Sequence, residues 1–160
     1  MSTMDAPPPA APAVPGDPPH LLLVRAPYYK AVVDGMTDGA TSILHDAGAT
    51  HETLDVAGAF ELAQAIRLVL RGASPFDGFV ALGCIVRGET DHYDHICRES
   101  MAGLMTVALQ YGLALGTGLL TVHDIVQATA RSGTDGHNKG AEAAAAVLRQ
   151  IAVSRTLGAR

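Results

Sequence analysis

Residues 78–97 read GFVALGCIVRGETDHYDHIC. The first nine, Gly78 to Val86, are almost wholly apolar and predict a strand buried on both faces. The pattern then breaks at Arg87, Gly88, Glu89 and Thr90, and from about Asp91 to Tyr111 it becomes helical. Cys97, Met101, Leu104, Met105 and Ala108 recur at three- and four-residue steps, which predicts the stripe turned to the core, with Thr90 as N-cap. A buried strand feeding an amphipathic helix is one half of a parallel crossover, and that sets the fold class.

The same alternation extends in both directions. Upstream, Leu21 to Arg25 predicts a buried strand ending before Pro27. A helix follows, carrying Val32, Met36, Ala40, Ile43 and Ala47 on one face, with Gly48 placed to close it. A short strand near Glu52 to Val56 and a helix from Phe60 to Leu70 complete that half. Downstream, a strand near Leu115 to Val122 precedes helices near Asp124 to Ala130 and Asn138 to Val153, which flank the turn-rich Arg131 to His137. The expectation is a three-layer α/β/α sandwich on a four-stranded parallel sheet. Seven of the nine prolines fall within residues 1–19, a composition that predicts a disordered Pro/Ala-rich tail. Residues 20–160 then form a single domain, since 160 residues leave no room for a second.

Composition narrows the function. The net charge is −5 and the cations are scattered, so the electrostatic footprint of a nucleic-acid groove is missing. Two cysteines, Cys84 and Cys97, are too few for a disulfide scaffold and predict a reducing compartment. No apolar stretch reaches the ~20 residues of a membrane span, and the N-terminus lacks the order of a signal peptide. A cytoplasmic protein with no membrane partner is expected.

In an open parallel sheet the ligand site lies beyond the carboxyl ends of the strands. That rule brings together Tyr28 and Tyr29, then Ala57 to Glu61, then Arg87 to His92. Gly88 permits an unusual backbone angle, and the helix after it offers free N–H groups. Glu89 and Thr90 could therefore cradle a phosphate. Histidine is the side chain that exchanges a proton near neutral pH, which suits His92 to proton transfer. Equally, Thr90 merely caps and His92 is a solvated helix residue. His92, His95 and Glu99 share a helix face, but three ligands from one helix need others to complete a zinc shell, so no metal is expected. One tyrosine at the first junction could stack on a flat heterocycle, or one ring packs inward and the other stays at the surface. Arg131 and Lys139 bracket a Gly-rich polar loop where two cations can hold a phosphate, Arg131 bidentately, or each simply sits near a helix end. Cys84, inside the central strand, reads as packing.

Taken together, GAFEL at 58–62, ALGCIVRGETDHYDHIC at 81–97 and RSGTDGHNKGAEAA at 131–144 resemble the lumazine synthases. The likeness runs from about Leu21 to Ala152, and RGETxHxD before an amphipathic helix is its most specific part.

The resemblance implies a flavodoxin-like sandwich and a transferase of riboflavin biosynthesis. Such an enzyme joins 5-amino-6-(D-ribitylamino)uracil to 3,4-dihydroxy-2-butanone 4-phosphate without a cofactor. It implies His92 as the catalytic histidine. Tyr28 would stack on the uracil, Ala59, Phe60 and Glu61 would hold the ribityl chain, and Cys84, Ile85 and Val86 would present backbone atoms to the uracil edge. Glu89 and Thr90 would cradle phosphate, and Arg131, delivered by a neighbouring subunit, would hold it, with Lys139 in support. A homopentamer is implied, either free or packed into a sixty-subunit icosahedral shell, two alternatives the resemblance leaves open, and association with riboflavin synthase is a further possibility it raises. Three departures stand out. Thr117 replaces a bulky aromatic that reaches into the adjacent subunit's site, APYYKA stands at the first junction, and Asp135 takes a place often held by lysine. These departures leave a second reading, a catalytically weak flavin-binding or structural shell paralogue.

Overall fold

A computed structural model describes residues 7–134 and 137–158. Among them are four strands, β1 (His20–Ala26), β2 (Thr50–Asp55), β3 (Gly78–Val86) and β4 (Ala114–Val122), all parallel in the order β2-β1-β3-β4. The helices are α1 (Lys30–Asp46), α2 (Leu62–Leu70), α3 (His92–Tyr111), the short α4 (Ile125–Thr129) and α5 (Lys139–Leu157). This is the flavodoxin-like three-layer sandwich, and every predicted strand is present.

The period of two along β3 distributes its side chains between two cores. Val80, Leu82 and Cys84 pack with α1 and α5, while Phe79 and Ala81 pack with α2 and α3. Arg25, at the end of β1, donates two hydrogen bonds to Asp55 at the end of β2, at 2.8 and 3.0 Å. That bidentate pair ties the edge strand to the sheet. Helix α1 closes as expected, with Gly48 at φ 69° donating to His45 O at 2.9 Å.

Helix α3 presents a different face from the one expected. Ser100, Leu104 and Val107 are buried, whereas Met101 is 41% and Met105 61% exposed. The apolar surface of α3 is wider than α2 and the sheet can cover, and hydropathy alone selects its more apolar half, rotated one residue round the helix. The N-cap is Asp91, not Thr90, and its side chain makes no capping bond.

The N-terminal stretch also differs from the expected disordered tail. Residues 7–19 form no helix or strand, as the prolines dictate, yet Ala11 and Val14 lie against the α1/α5 core. Arg155 donates to Pro15 O and Asp17 O at 2.9 and 2.6 Å and pairs with Asp77 at 3.2 Å. A proline-rich chain has little conformational freedom to lose, so one guanidinium and two small apolar side chains can hold it. Residues 1–6 lie outside the described residues.

Helix α5 sits unusually close to its neighbours. A Cβ on Gly140 would fall 1.8 Å from Met36 O of α1, and one on Gly116 would fall 2.2 Å from Ala143 O of α5. Gly140→Ala should therefore destabilise the fold by about 3 kcal/mol or more, since backbone rather than a side chain must yield. A Cβ on Gly88 meets nothing within 4 Å, so Gly88→Ala should shift stability by under about 0.5 kcal/mol. Thermal unfolding midpoints of the two variants check the contrast, and equal midpoints would contradict it.

Candidate active site

Strands β1, β2 and β3 all end at one edge of the sheet, and the chain leaves each by a short turn. After β1 comes Pro27–Tyr29, after β2 the stretch to Ala59–Glu61, and after β3 the link into α3. Between them is a cleft of about 410 Å³ lined by Tyr28, Tyr29, Ala57, Gly58, Ala59, Phe60, Glu61, Cys84, Ile85, Val86, His92 and Ile96. Its size suits a small organic molecule.

Each wall has a local cause. Tyr28 is 79% exposed, while Tyr29 packs against the core and meets the Tyr28 ring edge-on at 5.7 Å. Tyr29 therefore supports the ring that faces solvent. Phe60 stays 49% exposed beside the small residues Ala57, Gly58 and Ala59, leaving one aromatic face and open backbone. Strand β3 pairs with β1 only as far as Gly83, opposite Ala26, but with β4 as far as Val86. Beyond Gly83 the cleft-side N–H and C=O groups of β3 therefore have no strand partner, and a ligand edge can take them. Burial pushes the Cys84 thiol up to about 11, so it stays protonated and serves as wall rather than nucleophile.

His92 begins α3 and is exposed in the cleft. Glu89 and Thr90 link Val86 to that helix and are exposed as well. With no side chain capping α3, the N–H groups of its first turn remain open toward this rim. The turn is anchored from behind. Arg87 pairs with Asp94 at 2.5 Å and lies 4.4 Å over the Tyr93 ring. Burial foremost, then the neighbouring Cys97 thiol, pushes the Tyr93 hydroxyl above its ordinary value. Gly88 is not among the residues with positive φ, so the unusual backbone angle expected there is not used.

Three expected site residues lie elsewhere. Thr117, Arg131 and Lys139 line a separate groove of about 210 Å³ along β4. Thr117 Oγ1 accepts from Leu119 N at 3.1 Å, and Thr117 pairs with Ala81, well back from the strand ends. Arg131 Nη1 donates to Gln127 O at 2.8 Å, and among the described residues no carboxylate is within ion-pair distance of it. Lys139 is taken by Glu142, at 2.7 and 2.6 Å to the two carboxylate oxygens. Asp135 lies outside the described residues. Among the described residues no three His, Cys, Asp or Glu side chains gather as a metal-holding group.

Ile96 and the Arg87–Asp94 pair were not anticipated as parts of the site. Ile96 stands four residues after His92, so the helical period alone places both on one face of α3.

Fold and cleft together define an open-sheet α/β enzyme with a small-molecule site at the carboxyl edge, one aromatic ring, free strand backbone and one imidazole. The family model for 6,7-dimethyl-8-ribityllumazine synthase matches residues 18–155, and the chain belongs to that family. It is 45% identical over 144 residues to the 6,7-dimethyl-8-ribityllumazine synthase of Paramagnetospirillum magneticum, covering 86% of this chain and 96% of that one. It is 44% identical to 6,7-dimethyl-8-ribityllumazine synthase 1 of Rhizobium meliloti, over 89% of this chain and 95% of the relative. The enzyme of the same name from Agrobacterium fabrum is 42% identical, over 88% and 97%.

A thiol with its pKa near 11 is about one part in a thousand thiolate at pH 8. Cys84 should therefore stay unlabelled by iodoacetamide in the native protein at that pH and become labelled on denaturation. Mass mapping of the modified peptides checks this, and rapid native labelling would contradict the burial assigned to it.

Proposed function

We propose that this chain catalyses a step of riboflavin biosynthesis. It joins 5-amino-6-(D-ribitylamino)uracil to 3,4-dihydroxy-2-butanone 4-phosphate and gives 6,7-dimethyl-8-ribityllumazine, phosphate and water. The observation that carries the reading is the assembly, in one cleft, of Tyr28, Ala59, Phe60, Glu61, Cys84, Ile85, Val86 and His92 from four separate stretches of chain.

In this reading Tyr28 stacks on the uracil, the unpaired backbone of Cys84 to Val86 reads its edge, and Ala59 to Glu61 hold the ribityl chain. The phosphate sits on the open N–H groups at the start of α3, beside Glu89 and Thr90. The amino group of the uracil attacks the ketone carbonyl and water leaves to give an imine. Phosphate is then eliminated, and the ring closes with loss of a second water. Oxidation levels balance without an external oxidant, so the chemistry asks only for orientation and proton transfer. Orientation of two bound reactants is worth ~7–11 kcal/mol of barrier, and proton transfer by a positioned imidazole ~100- to 10,000-fold. His92 is the group placed to move protons.

Arg131 serves the phosphate from a neighbouring subunit of a homopentamer, which also brings Thr117 to the rim of the next cleft. Two features favour such an assembly. Arg131 and Thr117 lie outside their own chain's cleft. Met101, Met105 and Leu109 of α3 are exposed beside Leu113 and Leu115, an apolar groove of about 380 Å³. The free thiols of Cys84 and Cys97 accord with a reducing, cytoplasmic setting.

His92→Ala should slow lumazine formation about 100-fold or more with unchanged circular dichroism. Arg131→Ala should raise the KM for the ketone phosphate about tenfold. Lumazine fluorescence with both substrates measures each, and unaltered turnover in the first variant would remove His92 from the mechanism. The mass in solution should be five times the chain's 16.5 kDa, or a multiple of that assembly. Met105→Glu should lower it, because the charge would have to be buried unpaired. A monomeric parent protein would defeat the shared-site reading.

A further inference from the structure

Asn138 is only 6% exposed and uses every hydrogen-bonding position it has. Its Oδ1 accepts from Gly140 N at 2.9 Å and Ala141 N at 3.1 Å, capping α5. Its Nδ2 donates to Gly35 O of α1 at 2.8 Å, Ser132 O at 3.0 Å and Gly133 O at 3.1 Å. One buried amide thus joins the start of α5, the middle of α1 and the two residues that follow Arg131.

We propose that Asn138 is a positioning residue for Arg131, fixing the direction in which its guanidinium leaves the subunit, and so sets the affinity for the phosphorylated substrate. The proposal rests on the phosphate-binding role given to Arg131 above. The backbone of Arg131 is gripped on both sides. Arg131 N donates to Ala128 O at 3.0 Å, and Arg131 O accepts from Lys139 N at 2.9 Å. Beyond it, the carbonyls of Ser132 and Gly133 end on the Asn138 amide. The guanidinium itself leans on Gln127 O in the middle of α4. An arginine held this way does not have to be ordered when the anion arrives, which is where preorganisation raises affinity.

No other side chain of this reach supplies both functions. Aspartate keeps the cap but turns a carboxylate toward three carbonyl oxygens, serine caps without reaching Ser132, and leucine does neither. The space is also cut to fit. A Cβ on Gly39 would fall 2.3 Å from the Asn138 amide, and one on Gly35 would fall 2.4 Å from Ser132 O. Two glycines one helical turn apart on α1 therefore leave the room that the amide and the Ser132 carbonyl fill.

The test uses the assembled enzyme with Asn138→Ser, Arg131→Ala, the two combined, and Gly35→Ala, varying each substrate in turn. Asn138→Ser should raise the KM for the ketone phosphate about tenfold, leave that for the amino-uracil within about twofold, and add nothing once Arg131 is gone. A change in neither KM, an equal change in both, or an effect that multiplies with that of Arg131→Ala overturns the proposal. An Arg131→Ala variant with unaltered ketone KM strikes the phosphate role itself, and the positioning role falls with it. If Asn138→Ser does not assemble, Gly35→Ala decides. It keeps the amide but presses on Ser132, so it should raise the same KM, and an unchanged value refutes the positioning.

Discussion

Strand β3 has no solvent face, and the rest of the molecule is arranged around that constraint. Its odd and even residues enter different cores, so it must lie between two layers of helix and hydrogen-bond on both sides. The strand outruns β1 by three residues and stays paired to β4 over that length. Those three residues, Cys84 to Val86, form the floor of the cleft, and the next elements to leave the sheet carry Glu89, Thr90 and His92. The packing need of an apolar strand thereby fixes where free backbone, an open helix start and an imidazole meet.

The electrostatics follow the same division. Where the chain is buried, as at Cys84, burial keeps the group neutral, and it contributes shape and main-chain atoms. Several of the chain's cations are already paired. Arg87 faces Asp94, Lys139 faces Glu142, and Arg25 faces Asp55. Arg131 instead donates to a helix carbonyl, Gln127 O, and has no carboxylate partner among the described residues.

Strand and helix order was legible because it rests on period and punctuation, which single residues carry. Gly78 to Val86 could be bounded from its composition, and Gly48 marked the end of α1 because only glycine takes that angle without strain. The cleft was legible too, since the carboxyl-edge rule depends on strand order alone. Which half of α3 faces the core was not, because Met101 and Met105 look like core residues until the width of the covering layer is known. The docking of residues 7–19 depends on Arg155, about 140 positions away, and no local pattern announces it. Asn138 was visible as a helix start, but its donation to Gly35 O of α1, 103 positions away, and the room for its amide depend on Gly35 and Gly39 standing bare on another helix.

That last dependence shows how far packing and chemistry are one problem here. Helix α5 buries alanines at 141, 143, 144 and 145 where leucines would be more hydrophobic. Larger side chains there would give more burial but hold α5 away from β4 and α1, whose Gly116 and Met36 backbones it now touches almost directly. Moving α5 outward would carry Asn138 with it and stretch its bonds to Ser132 and Gly133, which lie near 3 Å. Arg131 would then lose the support that aims it. The alanine face of α5 therefore gives up some hydrophobic stabilisation, about 1–2 kcal/mol per side chain relative to leucine, and gains a helix seated closely enough for a single amide to govern the phosphate end of the proposed site.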